Sequence, residues 1–473
     1  MSDTSPLIFW LRRDLRLSDH QGLSAAAASG RPVIPVFIHD ETVEALGAAP
    51  KFRMGRALEE FSKTLEGIGS RLVFRRGRAQ EVLDALVAET GAGAVWWSRL
   101  YDPEARELDG EIKGALRARG IEARSFSGHL LFEPWEVETK TGGFYKVYSP
   151  YWRAVRGNDP GSPLPRVKAL RGPDVWPRSD QLTDWRMDAA MNRGAAVLAP
   201  HLTVGEEAAA DRLGNFIDEG IARYGELRDI PSVDGTSRLS ENLTYGEISP
   251  RACWHAGMRA MEEGQQGAEK FVKEVVWREF AYHLVYHTPW ITHGNWRREW
   301  DAFPWNEDDT RPEVLAWKQG RTGIRFVDAA MRELHVTGYM HNRARMIAAS
   351  YLTKHLMTHW RVGLKWFEEH LVDWDPAANA MGWQWAAGSG PDASPYFRVF
   401  NPESQLEKFD PKRTYARRWI AEGQRDPGQD ALAYFDAVPR RWGLSPEMAY
   451  PAPVVTAEAG RKAALAAYET RSF

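Results

Sequence analysis

Residues 7–40, LIFWLRRDLRLSDHQGLSAAAASGRPVIPVFIHD, open on one β-rich run, LIFWL (7–11), and close on another, PVIPVFIHD (32–40). RLVFRRG (71–77) and AVWWSRL (94–100) have the same character. Short apolar runs rich in β-branched and aromatic residues read as strands. Between them, KFRMGRALEEFSKTLEGIG and AQEVLDALVAET repeat apolar residues at helical spacing. Strands alternating with helices predict a doubly wound parallel α/β sheet. No GxGxxG follows the first strand; RRDLRLSDHQGL stands there instead, which disfavours the usual dinucleotide fingerprint. A ligand at the carboxyl ends of the strands stays open.

Outward from this sheet the pattern changes twice. Near residue 133 the alternation stops, and 134–205 is rich in Pro, Gly and Trp, which reads as a linker draped over a surface. Beyond it strands nearly vanish. EKFVKEVVWREFAYHLVYH, GIRFVDAAMRELHVTG and NRARMIAASYLTKHLMTHWRVG are helical in pattern. The expected division is an α/β domain over 1–133, a linker over 134–205 and an all-α domain over 206–473. A length of 473 residues fits two or three domains.

Composition narrows the class. No run of eighteen apolar residues predicts a membrane span. The start MSDTSPLIFW lacks a basic stretch followed by an apolar one, so no secretory leader is expected. A single cysteine, Cys253, excludes an internal disulfide and a cysteine-cluster metal site, and no metal is expected. A net charge of -3 means that any nucleic-acid binding must use a local basic patch. Trp is the outlier, with 21 residues against 15 Tyr and 19 Phe. Stacking surfaces or electron carriers would use so many indoles.

Four clusters in the helical part carry chemistry. In YGELRDIPSVDGTSRLSENL, the hydroxyls of Thr236, Ser237 and Ser240 surround Arg238, a set that holds phosphate oxygens or, more plainly, caps a helix. In KEVVWREFAYHL, Glu274, Trp277 and Arg278 share a helix face. They could grip a heterocycle; a surface ion pair beside a core Trp is the plainer alternative. In YMHNRARMIAAS, Asn342, Arg343, Arg345 and Met346 crowd a helix start, and Arg345 is a candidate partner for a buried acid. DWDPAANAMGWQW (373–385) sets two carboxylates, an Asn and three indoles within thirteen residues.

In this order the clusters resemble the photolyase/cryptochrome family along the whole chain. The matching motifs are FWLRRDLRLSDHQGL, DGTSRLS, WREF, TGYMHNRARM, DWDPAANAMGWQWAAGSGPDASPYFRVFNP and the closing YPAPVV…RKAALAAY. The resemblance implies a helical domain that binds a U-shaped FAD. Tyr224, Thr236, Ser237, Arg238, Leu239 and Ser240 would hold the phosphates and nearby groups, with Asn342 close by. Asp373 would pair with Arg345 near the isoalloxazine, Asp375 would accept from the flavin or its ribityl chain, and Asn379 would face flavin N5. An amide both donates and accepts, which suits a reduced flavin better than a carboxylate does. Plant-type cryptochromes carry Asp there, so Asn379 leans toward repair. Trp383, Trp360 and Trp305 would form an electron path that photoreduces FAD.

The resemblance further implies a reaction. Excited reduced FAD gives an electron to a flipped-out cyclobutane pyrimidine dimer, the ring opens and the electron returns; photolyases are a general example of base flipping. Glu274 would bond the lesion, Trp277 and Trp385 would stack it, and Met346 and Asn342 would shape the cavity. HNRARM lacks the paired His of the six-four type. Arg228, Arg343 and Arg398, with Trp277 and Trp385, would contact UV-damaged DNA, and EKFDPKRTYARRW (407–419) adds a basic rim or a plain surface charge run. Glu104 stands where some relatives bind a folate antenna, so methenyltetrahydrofolate is expected, with deazaflavin or FMN as alternatives; a helix-capping acid is the plainer reading. A monomer, cytoplasmic and held at the bacterial nucleoid through DNA, completes the expectation. The competing function is a cryptochrome-type blue-light photoreceptor without repair, against which the chain end at Phe473 also counts. A dark flavin oxidoreductase would leave the Trp chain without a purpose.

Overall fold

The computed structural model describes residues 4–392 and 397–471. Residues 393–396, within the DWDPAANAMGWQWAAGSGPDASPYFRVFNP motif, and Phe473 lie outside it. Five parallel strands form one sheet: β1 (Leu7–Leu11), β2 (Val33–His39), β3 (Val73–Arg76), β4 (Ala94–Ser98) and β5 (Glu122–Phe126), in the order β3-β2-β1-β4-β5. The first four match the β-rich runs. β5, EARSF, was not anticipated: it is an edge strand with only Ala123 and Phe126 buried, so it carries no continuous apolar run.

β1 and β2 are buried along their whole length because helices cover both faces. The strand order reverses between β1 and β4, where such folds usually seat a ligand. Here Arg12 fills that point. Its guanidinium donates to the Ser98 carbonyl at 2.6 Å and to both Asp109 oxygens at 2.8 and 3.0 Å.

The segment read as a linker carries structure of its own. A helix spans Tyr148–Val155, with Tyr148, Tyr151, Trp152 and Val155 buried on one face. Beyond residue 205 the described residues contain no strand, and the elements are helical.

The sheet domain and the helical part are clamped by buried charge. Arg53, on the Ala48–Glu66 helix, is fully buried and reaches Glu247 at 2.6 and 3.0 Å and Glu241 at 2.5 Å. These carboxylates hold the guanidinium pKa above its ordinary value despite the desolvation that opposes it. Gly246 sits so close to Arg13 that a Cβ would lie 2.2 Å from its carbonyl oxygen, and its φ of 67° also favours glycine. Removing one partner of such a pair leaves an uncompensated buried charge.

Candidate functional site

The Pro376–Ala387 helix sets the geometry. Asp375 caps it, accepting from the Ala378 N–H at 2.8 Å, and Pro376 takes the first helical position, where no N–H is needed. The helix then presents Asn379, Trp383 and Trp385 to a cavity of about 540 Å³. The Ala268–His287 helix brings Glu274, Trp277 and Arg278 to the opposite wall, and the Asn342–Ser350 helix adds Asn342, Arg345 and Met346. A volume of this size is typical of a small-molecule site.

At the inner end lies an ion pair whose Asp373 side chain is buried and whose Arg345 side chain is 20% exposed. One Arg345 nitrogen donates to both Asp373 oxygens, at 2.7 and 2.9 Å, and the Ser240 hydroxyl donates to the same carboxylate at 2.7 Å. Burial lowers the Arg345 pKa, but the charge and hydrogen bond of Asp373, with Tyr339 and Glu333 nearby, together hold it above its ordinary value. Asn379 donates from Nδ2 to the Asp375 carbonyl at 3.0 Å, and among the described residues its Oδ1 has no hydrogen-bond partner.

The outer end is ionic and half exposed. Arg228 pairs with Oε1 of Glu274. Asp229 pairs with Arg343 at 2.9 Å, and Arg343 lies 4.4 Å over the Phe409 ring. Trp277 stacks on Tyr148 with ring centroids 3.6 Å apart and planes 6° apart. One indole face is therefore taken, and Trp277 still lines the cavity.

Several anticipated residues stand elsewhere. Asp375 is not in the cavity wall; its second oxygen accepts from the Tyr282 hydroxyl at 2.7 Å. Tyr224 is buried edge-on against Phe216, with Arg228 over its ring. Leu239 is buried, while Thr236, Ser237 and Arg238 are half exposed before the short Ser240–Tyr245 helix. Arg238 lies over the Tyr339 ring at 4.5 Å. Arg398 is exposed beside Phe400. Lys408, Lys412, Arg417 and Arg418 of the 407–419 run are exposed, and Arg418 bonds Asp430 at 2.6 Å. Glu104 is exposed in the first turn of the Pro103–Ala118 helix.

Trp383, Trp360 and Trp305 are 2%, 0% and 9% exposed. The Trp383 indole packs into the Trp360–His370 helix where Gly363 leaves room; a Cβ there would lie 2.0 Å from the ring. The His359 ring lies between the other two indoles, 5.4 Å from Trp360 and 5.3 Å from Trp305.

Sequence reading missed Tyr148 and Asn295. Tyr148 had a signal: YSPYWRAV repeats apolar residues at the 3, 1, 3 spacing of a helix face. Asn295 had none, because it sits in an irregular loop and meets its partners only in the fold.

The residues fit a flavin. The aromatic wall of Trp383 and Phe367 suits a flat ring, and the Arg345–Asp373 pair and Asn379 supply polar groups beside it. The Thr236 and Ser237 hydroxyls make no hydrogen bond within the described residues and are free for a phosphate.

Residues 271–470 match the model of the FAD binding domain of DNA photolyase, and residues 7–168 match that of DNA photolyase. A deoxyribodipyrimidine photo-lyase of Agrobacterium fabrum is 45% identical over 98% of each chain, and one of Escherichia coli is 34% identical over 98% of each. The structure of a bacterial class III photolyase from Agrobacterium tumefaciens superposes with a TM-score of 0.90 at 44% identity, covering 99% of this chain and 98% of that one. A cryptochrome of Synechocystis gives 0.83 at 25% identity, covering 98% of this chain and 100% of that one. With two family models and full-length relatives above 30% identity, this chain belongs to the photolyase/cryptochrome family.

Proposed function

We propose that this protein is a light-driven lyase that splits cyclobutane pyrimidine dimers in UV-damaged DNA. The carrying observation is one cavity that joins a polar, flavin-compatible inner end to an aromatic and acidic outer end. FAD, when bound and reduced, supplies a light-excited electron donor. The chain does the rest. Trp277, braced by Tyr148, and Trp385 offer faces for a flipped base pair, and base–aromatic stacking is typically worth about 1–3 kcal/mol. Glu274, held by Arg228 through Oε1, keeps Oε2 for an N–H of the lesion. Arg228, Arg343 and Arg398 serve DNA phosphates, so binding weakens with salt. The Asp373–Arg345 pair and Asn379 orient the flavin, and Trp383, Trp360 and Trp305 supply electrons for its activation.

The test is loss of thymine dimers from DNA under blue light, with a dark control. Light-dependent loss is expected; none from flavin-loaded protein would favour the photoreceptor reading. For the antenna we propose methenyltetrahydrofolate near Glu104. A structure of an archaeal photolyase from Sulfolobus tokodaii holds two FAD molecules. Chromophore extraction decides among folate, deazaflavin and FMN. The protein is proposed to act as a monomer in the bacterial cytoplasm; among the described residues no helix is long and apolar enough to cross a membrane.

A further inference from the structure

We propose that Asn295 is a positioning residue for electron transfer through Trp360: it accepts the indole N–H but cannot take its proton. The inference rests on the reading of Trp383, Trp360 and Trp305 as an electron path.

The geometry is specific. The Trp360 Nε1–H donates to Asn295 Oδ1 at 2.8 Å, and Asn295 Nδ2 donates to Asp301 Oδ1 at 2.8 Å. Asn295 is 2% exposed and Trp360 is 0% exposed, whereas Asp301 faces solvent. The two partners fix the amide. An indole N–H only donates and a carboxylate only accepts, so the flipped amide would lose both bonds. The loop that carries Asn295 is anchored to the helix that carries Trp383. Gln384 is fully buried; it donates to the carbonyls of Ile291 and Gly294 at 2.8 and 2.9 Å and accepts from the Trp296 N–H at 2.7 Å.

The chemistry follows from what an amide lacks. Loss of one electron makes an indole N–H strongly acidic. A basic acceptor then takes the proton, and the neutral radical must recover it before it can be reduced again. An amide oxygen is too weak a base for that. It polarises the N–H and favours the radical cation, and the Asp301 carboxylate adds negative charge one residue further back. The ultimate oxidant is a light-excited oxidised flavin. An electron passes from Trp360 to oxidised Trp383, leaving Trp383 neutral and Trp360 a radical cation. A second electron then passes from Trp305 to Trp360, and no proton leaves Nε1 at either step.

The neighbours agree with this role. Among the described residues Trp383 Nε1 finds no acceptor, so a positive charge is stabilised less on Trp383 than on Trp360. Trp305 donates to the Thr353 carbonyl at 2.9 Å, another acceptor that cannot take a proton. Burial lowers the pKa of His359 to about 4, so at neutral pH the ring between Trp360 and Trp305 adds no positive charge.

Two measurements test the proposal. The first needs no flavin. In protein labelled with ¹⁵N-Trp, the Trp360 indole N–H is assigned by its loss in Trp360→Phe. It should be protected from deuterium exchange, and Asn295→Ala should shift it and remove the protection. An unshifted, still protected resonance overturns the proposal. The second is transient absorption of flavin-loaded protein. Asn295→Asp, combined with Asp301→Asn so that two acids do not share a proton, sets a base against the indole. The radical-cation band should convert early to the neutral-radical band, and the yield of stable photoreduction should fall. If Trp360→Phe abolishes photoreduction while the double variant behaves as wild type, the proposal fails and the path stands. If Trp360→Phe photoreduces normally, the path fails and the proposal with it.

Discussion

Five indoles of one site fall into two regions. Trp383, Trp360 and Trp305 are buried in the helical part, at most 9% exposed, and of the three Trp383 alone reaches the cavity wall. Trp277 and Trp385 are half exposed at the cavity. The same side chain is used in two ways. A buried indole suits charge transport, because it is shielded from solvent that would reorganise around its charge. An open indole face suits stacking of a planar ligand. The charged groups divide likewise. Asp373–Arg345 is an inner pair, with the Asp373 side chain 1% exposed, and Arg228–Glu274 is an outer one, with Glu274 34% exposed.

The largest effect should come from breaking the inner pair. Asp373→Ala leaves Arg345 without its carboxylate and Ser240 without its acceptor. Breaking a buried pair costs ~3–5 kcal/mol, so chemical denaturation should show a loss of that order together with loss of flavin. Normal stability and flavin content would erase the distinction between the pairs. Next comes Trp277→Ala. It removes the stack on Tyr148 and the face offered to the lesion, so lesion affinity should drop by about 1–3 kcal/mol in a titration with dimer-containing DNA. Undamaged DNA should bind nearly as before. A smaller loss is expected for Glu274→Ala: repair per photon at saturating DNA falls, while flavin content and photoreduction stay. An unchanged yield would remove Glu274 from the site.

The smallest effect concerns acid. Burial holds His341 at about 4, below its ordinary 6.5, and its Nδ1 caps the Asn342–Ser350 helix by accepting from the Arg343 N–H at 3.2 Å. Between these values the unfolded chain binds more protons, so stability falls as pH drops from 6.5 toward 4 and this contribution is level above 6.5. Denaturant midpoints compared at about pH 7 and about pH 5 should differ less in His341→Ala than in wild type. Equal differences would show that the helix start does not respond to acid through this residue.

How much of this was legible follows from the physics of each signal. β1, β2 and β4 were readable because buried parallel strands form continuous apolar runs, and the edge strand β3 because Val73 and Phe74 open it with two buried apolar residues. β5 was not, since an edge strand alternates with polar residues. The cavity wall was readable because its members sit on three helices at regular spacing and within recognised motifs. Asp375 was placed with the flavin by the family resemblance; in the fold one of its oxygens caps the helix and the other accepts from the Tyr282 hydroxyl, contacts that the sequence alone does not show. The 134–205 stretch hid Tyr148 behind its Pro and Gly content. Asn295 could not be found from sequence, because its meaning depends on Trp360, sixty-five positions away.

The division between the two regions is tested most directly by repair per absorbed photon in chemically reduced protein. Trp360 lies outside the cavity wall, so Trp360→Phe removes a core indole without touching the substrate side. The account predicts that reduced Trp360→Phe splits dimers with the wild-type yield, although the oxidised variant no longer photoreduces, and that reduced Trp277→Ala repairs poorly at limiting DNA. Loss of repair in reduced Trp360→Phe with normal flavin content would contradict it.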